Sequence, residues 1–131
     1  MIIGLGSDIC NIERIEQAYA KFGERFLQRC FGKQEQQELE LLRDRPQRFA
    51  ASLAKRFAAK EGFVKAMGTG FAHGVAWSEI EIVHHASGRP MFHISGKAEE
   101  ILKKIIPASR LWVSLSDDYP LAQAVVVIES C

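Results

Sequence analysis

The chain has 131 residues, the length of a single domain, and we expect residues 1–131 to fold as one unit. Its 47% hydrophobic and 25% charged residues are ordinary for a globular protein. The formal net charge of +1 excludes the strong basic field of a nucleic-acid or membrane-surface binder, and no apolar stretch reaches membrane-spanning length. The three scattered cysteines and the lack of signal-peptide features favour free thiols and a cytoplasmic location.

The first half of the chain predicts one short strand followed by helices. Residues 2–6 form the strand, which Gly4 and Gly6 interrupt, so that Asp8 is expected in a loop at its end. Asn11 is placed to cap the first helix. Four helices are predicted, over residues 12–21, 24–30, 34–42 and 46–67.

The last of these helices has clear start and stop signals. Pro46 suits its first turn, and Gly68-Thr69-Gly70 is typical of a helix end. In the second half, strands are predicted over residues 78–84, 91–94, 111–115 and 121–128, with a helix over 96–106 that Ser95 caps. The continuous apolar run at residues 124–128 predicts a strand buried on both faces, and the fold class is α+β.

Lys60 interrupts the apolar face of the longest predicted helix. Phe49, Leu53, Val64 and Met67 recur at helical spacing, and Lys60 lies in the same stripe. Burial of an ammonium group there is costly unless an anion or a water-filled cleft receives it. The segment therefore predicts the wall of an anion-binding site.

Glu61 and Lys65 lie four residues apart and share one face of that helix. A surface ion pair is the simplest interpretation. The alternative is a metal–phosphate site, in which the carboxylate binds a hard cation such as Mg²⁺ and the lysines contact phosphate. Asp8 has two similar interpretations, because it could cap a turn or bind a metal.

Other catalytic patterns are absent from the sequence. The Gly4-Leu5-Gly6 start lacks the third glycine of a dinucleotide-binding loop, and there is no Walker A sequence. No histidine is suitably spaced from Ser114 or Ser116 for a nucleophilic triad. The early basic residues form either a solvated surface or a docking face for an acidic partner; they are Arg14, Lys21, Arg25 and Arg29.

Two segments together resemble the motifs of the holo-[acyl-carrier-protein] synthases, a family of 4′-phosphopantetheinyl transferases. The first runs from Gly6 to Arg14 and is similar to the family motif G-x-D-x-x-x-x-x-R. The second runs from Arg56 to Glu61 and continues through Lys65-Ala66 and Gly68-Thr69-Gly70. The order of the motifs, their separation and the chain length all fit, so the resemblance covers the whole chain.

The resemblance implies a 4′-phosphopantetheinyl transferase-like fold, with helices packed on a small, mostly antiparallel sheet. It implies transfer of 4′-phosphopantetheine from coenzyme A to a serine of apo acyl carrier protein, in support of fatty acid biosynthesis, with release of adenosine 3′,5′-bisphosphate. By motif position, Asp8 and Glu61 would bind Mg²⁺. Lys65 would contact phosphate and stabilise the transition state, and Arg14 would face the acidic carrier protein.

The expected coenzyme A contacts also include Lys60, Gly68, Thr69 and Gly70. Glu61 and a metal-bound water are both candidates for the base that takes the serine proton. Short members of this family resemble compact homotrimers that hold coenzyme A at the subunit boundary, which suits a chain too small to enclose a large cofactor.

The chain departs from the family pattern at two places on its penultimate strand. Trp112 stands where many relatives carry histidine, and Asp117 lies close to a second position where histidine is frequent. Two rival functions therefore stay open: a non-catalytic module that binds coenzyme A or a carrier protein, and an Mg²⁺-dependent enzyme that uses another nucleotide and no carrier. Retention of Asp8, Glu61 and Lys65 argues against the module.

Overall fold

The computed structural model of the chain describes residues 1–68 and 74–131 and confirms the α+β class. Three strands form an antiparallel sheet in the order β1-β5-β4: β1 (Ile2–Asn11), β5 (Leu121–Ser130) and β4 (Ser109–Asp118). A separate hairpin pairs β2 (Ile80–His84) with β3 (Pro90–Ile94). The helices are α1 (Ile12–Phe22), α2 (Glu24–Cys30), α3 (Lys33–Glu40), α4 (Pro46–Ala66) and α5 (Gly96–Ile105).

The long helix α4 lies across one face of the three-stranded sheet and contacts β1 and β5. It begins at Pro46, whose fixed φ suits a first turn and whose missing N–H is not needed there. Its cap residue, Met67, is followed by Gly68 at a φ of 69°, the left-handed conformation that glycine adopts freely. The predicted start and stop are both confirmed. No helix of the described ranges is both long and apolar enough to cross a membrane.

The two predicted helix caps have different outcomes. Asn11 caps α1 as predicted, because its Oδ1 accepts a hydrogen bond from the Glu13 N–H at 2.8 Å. Ser95 occupies the N-cap position of α5 but makes no side-chain cap bond. Instead, Glu79 Oε2 accepts from the Lys97 N–H at 3.0 Å. A carboxylate from the short 3₁₀ turn before β2 thus replaces the predicted serine cap.

The predicted end of the first strand is wrong. β1 runs without a loop through Asp8 and stays paired with β5 from Ile2, opposite Glu129, to Asn11, opposite Leu121. A β-bulge near its start is the one irregularity in that pairing. The glycines of β1 do not break the strand, because their role is to let α4 approach it closely. Asp8 is therefore held by strand pairing and does not lie in a loop.

In the single chain, strand β5 is buried on only one face, whereas the sequence predicts burial on both. Ala122, Ala124, Val126 and Ile128 point to α4 and are buried. Val125, on the opposite face, is only half-buried, because α4 covers a single side of the sheet. The outer face of the sheet consequently carries exposed apolar side chains, which include Leu5, Ile9, Trp112 and Leu121.

Candidate functional site

Two glycines let strand β1 lie directly against the backbone of α4. A Cβ built on Gly6 would stand 1.9 Å from the carbonyl oxygen of Gly62, and one built on Gly4 would stand 2.4 Å from the carbonyl oxygen of Ala66. Side chains alternate along a strand, so Asp8 faces the helix on the same side as these glycines. The close approach therefore places Asp8 next to the last turns of α4.

Lys65 is the partner that Asp8 meets there. The Lys65 ammonium lies 3.0 Å from Asp8 Oδ1 and also donates to the Ser7 carbonyl at 3.1 Å. The Lys65 ammonium thus contacts Asp8, whereas the simpler of the two interpretations of the spacing paired it with Glu61. The Lys65 side chain is 55% exposed and that of Asp8 is 20% exposed. Two of the three N–H donors of Lys65 thus hold the strand, while the side chain stays open to solvent.

Glu61 belongs to the same cluster of charges. Burial raises the pKa of Glu61, the nearby Asp8 carboxylate raises it further, and the Lys65 ammonium partly offsets both. Burial and the charges of Asp8 and Glu61 likewise raise the pKa of the Cys10 thiol to about 11, against the opposing charge of Arg14. Both shifts have the causes expected where two carboxylates lie partly buried near each other, a setting that favours a bound cation.

The donor set of this region fits Mg²⁺. Magnesium in proteins is usually held by one or two carboxylates together with waters and substrate phosphates. Asp8 and Glu61 supply two hard carboxylates whose mutual repulsion a cation would relieve. Within residues 1–68 and 74–131, no group of three or more His, Cys, Asp or Glu side chains could form an all-protein metal cage. The residues present therefore suit a metal shared with a phosphate-bearing ligand.

Lys60 does not face this region, and its predicted phosphate contact is corrected. The side chain is fully buried. Its ammonium lies 2.6 Å from Glu35 Oε1 and also donates to the carbonyls of Trp77 and Ile80. A lysine has three N–H donors, so all are used inside the protein. The anion that receives Lys60 is a carboxylate of the same chain.

The remaining predicted contacts have mixed outcomes. Gly68 directly follows the cap of α4, whereas Thr69 and Gly70 lie outside the described residues. Arg14 is exposed on α1, within electrostatic reach of Cys10. Trp112 lies on the outer face of the sheet, where its indole N–H donates to Glu129 Oε1 at 2.8 Å and the Arg89 guanidinium lies 5.8 Å from its ring centre.

The other departure from the family pattern, Asp117, has a partner on α4. Its Oδ1 lies 2.9 Å from the Lys55 ammonium, and both side chains are partly exposed. The carboxylate that stands near the frequent histidine position is therefore half of an ion pair that ties the end of β4 to the long helix.

The sequence missed two buried acidic residues that pack around α4 away from the Asp8–Glu61 region. Glu35 accepts from Lys60 and from the N–H groups of Gly32 and Ile82. Glu81, which strand alternation places on the solvent side, is only 5% exposed and accepts from two N–H groups at the start of α3. The one local signal was the Glu35 side chain three residues after Gly32, which is the spacing of a helix-capping glutamate.

Comparison with known proteins extends the likeness over nearly the whole chain. The model of the 4′-phosphopantetheinyl transferase superfamily matches residues 4–124. A holo-[acyl-carrier-protein] synthase of Rhizobium leguminosarum bv. trifolii (strain WSM2304) is 47% identical over 134 residues, which cover 99% of this chain and 96% of the relative. The crystal structure of holo-[acyl-carrier-protein] synthase from Neisseria meningitidis gives a TM-score of 0.84 at 38% identity and covers 99% of this chain and 100% of that one. The crystal structure of the holo-[acyl-carrier-protein] synthase from Helicobacter pylori, in complex with coenzyme A, gives a TM-score of 0.77 at 30% identity. It covers 95% of this chain and 99% of that one.

Proposed function

The chain belongs to the 4′-phosphopantetheinyl transferase superfamily, and from this premise we propose that Asp8, Glu61 and Lys65 form the centre of its active site. It is an enzyme with holo-[acyl-carrier-protein] synthase activity, which transfers 4′-phosphopantetheine from coenzyme A to a serine of apo acyl carrier protein. The proposal rests on one observation. Strand β1 places Asp8 in hydrogen-bond contact with Lys65, which lies 57 residues later in the sequence, and near the Glu61 carboxylate.

The reaction makes one phosphorus–oxygen bond and breaks another. The serine oxygen bonds to the phosphorus that carries pantetheine, and the bond from that phosphorus to the leaving adenosine 3′,5′-bisphosphate breaks. The serine proton passes to a base, for which Glu61 and a water are the candidates. Lys65 has an exposed ammonium and donates to phosphate oxygens as negative charge moves to the leaving group. Mg²⁺ held by Asp8 and Glu61 would supply further neutralisation of the pyrophosphate. The Asp8 carboxylate keeps the Lys65 ammonium in place.

Replacement of Lys65 by alanine is expected to slow transfer more than it weakens coenzyme A binding. The ammonium stabilises charge that is larger in the transition state than in the bound substrate, so kcat should fall about a hundredfold while KM for coenzyme A changes only a few-fold. Steady-state kinetics measure both constants. Lys103→Ala removes an exposed lysine of α5 whose ammonium lies 3.5 Å from Glu99 Oε2, and it serves as the control. A change confined to KM would contradict the transition-state role of Lys65.

The basic face of α1 and α2 supports the acyl carrier protein as partner. Arg14, Arg25 and Arg29 are all exposed there. Arg25 and Arg29 line a surface depression of about 580 Å³, together with Phe22, Phe26 and Gln28. Positive charge around a depression that also exposes two phenylalanines suits a small acidic protein that presents a hydrophobic side chain. Arg14 connects this face with the Asp8–Glu61 region, because it lies within electrostatic reach of Cys10.

Charge reversal on this face is expected to weaken recognition of the carrier. Arg14→Glu combined with Arg25→Glu should raise KM for apo acyl carrier protein by about tenfold or more and reduce its salt dependence, because attraction becomes repulsion. KM for coenzyme A should stay within a few-fold of the wild-type value. Lys104→Glu, on the exposed side of α5, is the matched control. An unchanged KM for the carrier would place its docking surface elsewhere.

We also infer a homotrimer whose subunits meet on the outer face of the three-stranded sheet, with coenzyme A at the boundary. Leu5, Val127 and Trp112 stand in one row across the three strands of this face. Leu5 is 67% exposed and Trp112 is 42% exposed in the single chain, and a contiguous apolar face of this kind is typical of subunit contacts.

The proposed location is the cytoplasm, which the three free cysteines support. Residues 1–131 are taken as one transferase domain.

Charged residues on that row are expected to separate the subunits. Leu5→Lys combined with Val127→Lys should give monomers in sedimentation velocity and a large loss of transfer, because the apolar face would carry repelling charges. Ile105→Lys, at an exposed apolar position of α5, is the control and should keep both assembly and activity. Fully active monomers would overturn the boundary site.

The activity itself is tested by mass spectrometry of the carrier. The protein is incubated with Mg²⁺, coenzyme A and apo acyl carrier protein, and a gain of one phosphopantetheine is expected. No gain together with tight coenzyme A binding would favour the non-catalytic module. No gain and no coenzyme A binding would favour an enzyme that uses another nucleotide.

A further inference from the structure

A cluster of buried charges fastens α4 to α3 and β2 on the side away from Asp8. Its members are Glu35, Arg56, Lys60 and Glu81. Lys60 on α4 is paired with Glu35 on α3, and Glu35 Oε2 accepts from the Ile82 N–H of β2 at 3.1 Å. Glu81 of β2 in turn accepts from the N–H groups of Gln34 and Glu35 at 2.8 and 3.0 Å.

Arg56, one helical turn before Lys60, extends the same cluster. It donates to the Ile82 carbonyl at 2.6 Å and to Glu38 Oε1 at 2.8 Å. Among the described residues, no buried side-chain nitrogen or oxygen lacks a hydrogen-bond partner. Three elements are therefore joined by directional bonds around one fully satisfied network.

Such a network contributes geometry more than stability. Well-packed hydrophobic side chains of similar size stabilise a core as well as a buried ion pair does, or better. What the ion pair adds is direction, because the Lys60 ammonium must meet a carboxylate and two carbonyls at once. These bonds fix the rotation of α4 and its position along its own axis.

Lys60 is the residue immediately before Glu61, so that rotation matters for the site. A rotation of about 10° would move a carboxylate that lies about 6 Å from the helix axis by about 1 Å. A displacement of about 1 Å can lower a reaction rate about a hundredfold. The position of Glu61 relative to Asp8 thus depends on how firmly the opposite side of α4 is held.

We propose that the buried Lys60–Glu35 pair is a positioning device, which holds α4 at the rotation that places Glu61 beside Asp8 for metal binding. This inference rests on the proposed function. Lys60 acts through Glu61 and does not touch coenzyme A. Both positioning residues lie outside the surface that the substrate reaches, because each is fully buried.

The test removes both charges together. Lys60→Met combined with Glu35→Gln removes one positive and one negative charge, so the net charge of the buried cluster is unchanged and this variant is expected to fold. The Mg²⁺ concentration for half-maximal transfer should rise at least about fivefold and kcat should fall at least about tenfold. KM for coenzyme A should stay within about twofold of the wild-type value. Calorimetric titration with Mn²⁺ alone should give weaker binding than the wild-type protein gives.

A second variant and a control make the result decisive. Glu35→Asp keeps both charges but shortens the reach to Lys60, and it should raise the Mg²⁺ requirement even if the double variant does not fold. Leu102→Ala, in the buried core under α5, lowers the melting temperature without touching the pair and should leave the Mg²⁺ requirement unchanged.

A wild-type Mg²⁺ requirement in both Glu35 variants would make the pair merely structural and overturn the proposal. A large rise in KM for coenzyme A alone would instead restore Lys60 as a phosphate contact. Absence of transfer by the wild-type protein would refute the proposed function, whereas the Mn²⁺ titration would still test the positioning role.

Discussion

Gly6→Ala is expected to abolish most transfer activity, although it adds only one methyl group. The new Cβ would stand 1.9 Å from the Gly62 carbonyl oxygen and 2.8 Å from the Ala66 nitrogen, and both are backbone atoms of α4 that cannot rotate away. Gly6 does not have a positive φ, so alanine fits its backbone conformation and the clash is the whole effect. Strand and helix must separate, at a cost of about 2 kcal/mol in the free energy of unfolding.

The separation acts directly on the site, because Asp8 lies two residues along the same face of β1. Moved away from α4, Asp8 would lose its 3.0 Å contact with Lys65 and its proximity to Glu61. We expect kcat to fall by about a hundredfold or more. Mass spectrometry of the carrier measures the rate, and thermal unfolding measures the stability.

Two glycine variants separate positioning from stability. Gly4→Ala brings a similar clash, 2.4 Å from the Ala66 carbonyl oxygen, but four residues from Asp8, so it should destabilise comparably and reduce the rate less. Gly62→Ala would bring its Cβ to 3.1 Å from a methyl group of Val126, which must shift slightly, and into ordinary contact with the Gly6 carbonyl oxygen at 3.6 Å. Alanine favours the helix by about 1 kcal/mol, so this variant should be close to neutral. Equal rates for Gly4→Ala and Gly6→Ala would show that stability alone is responsible.

The helices were predictable because their signals are local. The boundaries of α2 agree with the predicted residues 24–30, Asn11 caps α1, and Pro46 begins α4 as expected. A cap or a first-turn proline acts within one turn of the chain, so neighbouring residues suffice to identify it. The pairing of Asp8 with Glu61 was reached through a resemblance, since residue 8 and residue 61 carry no mutual signal in the sequence.

The failures share a different cause, because each depends on what packs against the residue. Gly4 and Gly6 predict a break in the strand when only neighbouring residues are considered. Their close contact with the backbone of α4 cannot be seen in the sequence. Lys60 read as a phosphate contact because its partner, Glu35, lies 25 residues away on another helix. The apolar valines of β5 predict burial on both faces, but within one chain α4 covers only one side, and the other would be covered only in the proposed homotrimer. A sequence pattern gives a side chain's preference for burial and does not identify its neighbour.

Glu61→Gln is expected to lower the rate of transfer about a thousandfold or more while leaving the protein at least as stable as the wild type. The substitution removes one of the two carboxylates that suit Mg²⁺ and keeps the shape of the side chain. Burial and the Asp8 charge raise the pKa of Glu61, so its ionised form is less favourable in the folded chain than in the unfolded chain. Loss of the charge therefore relieves a repulsion, and function and stability move in opposite directions.

The pH dependence of this stability gain has a definite sign. Below the ordinary pKa of a glutamate, Glu61 is protonated in both the folded and the unfolded chain, and wild type and variant should unfold at similar temperatures. As pH rises through the interval up to the raised pKa of folded Glu61, the wild type acquires the unfavourable charge and the variant does not. The difference in melting temperature should therefore grow from acid to neutral pH. Glu40→Gln, which removes an exposed carboxylate paired with Arg43, should change neither transfer nor this pH profile. Wild-type turnover by Glu61→Gln would exclude a metal-binding role for this carboxylate. A melting temperature of the variant well below that of the wild type at neutral pH would mean that Asp8 and Glu61 do not repel each other in the folded protein.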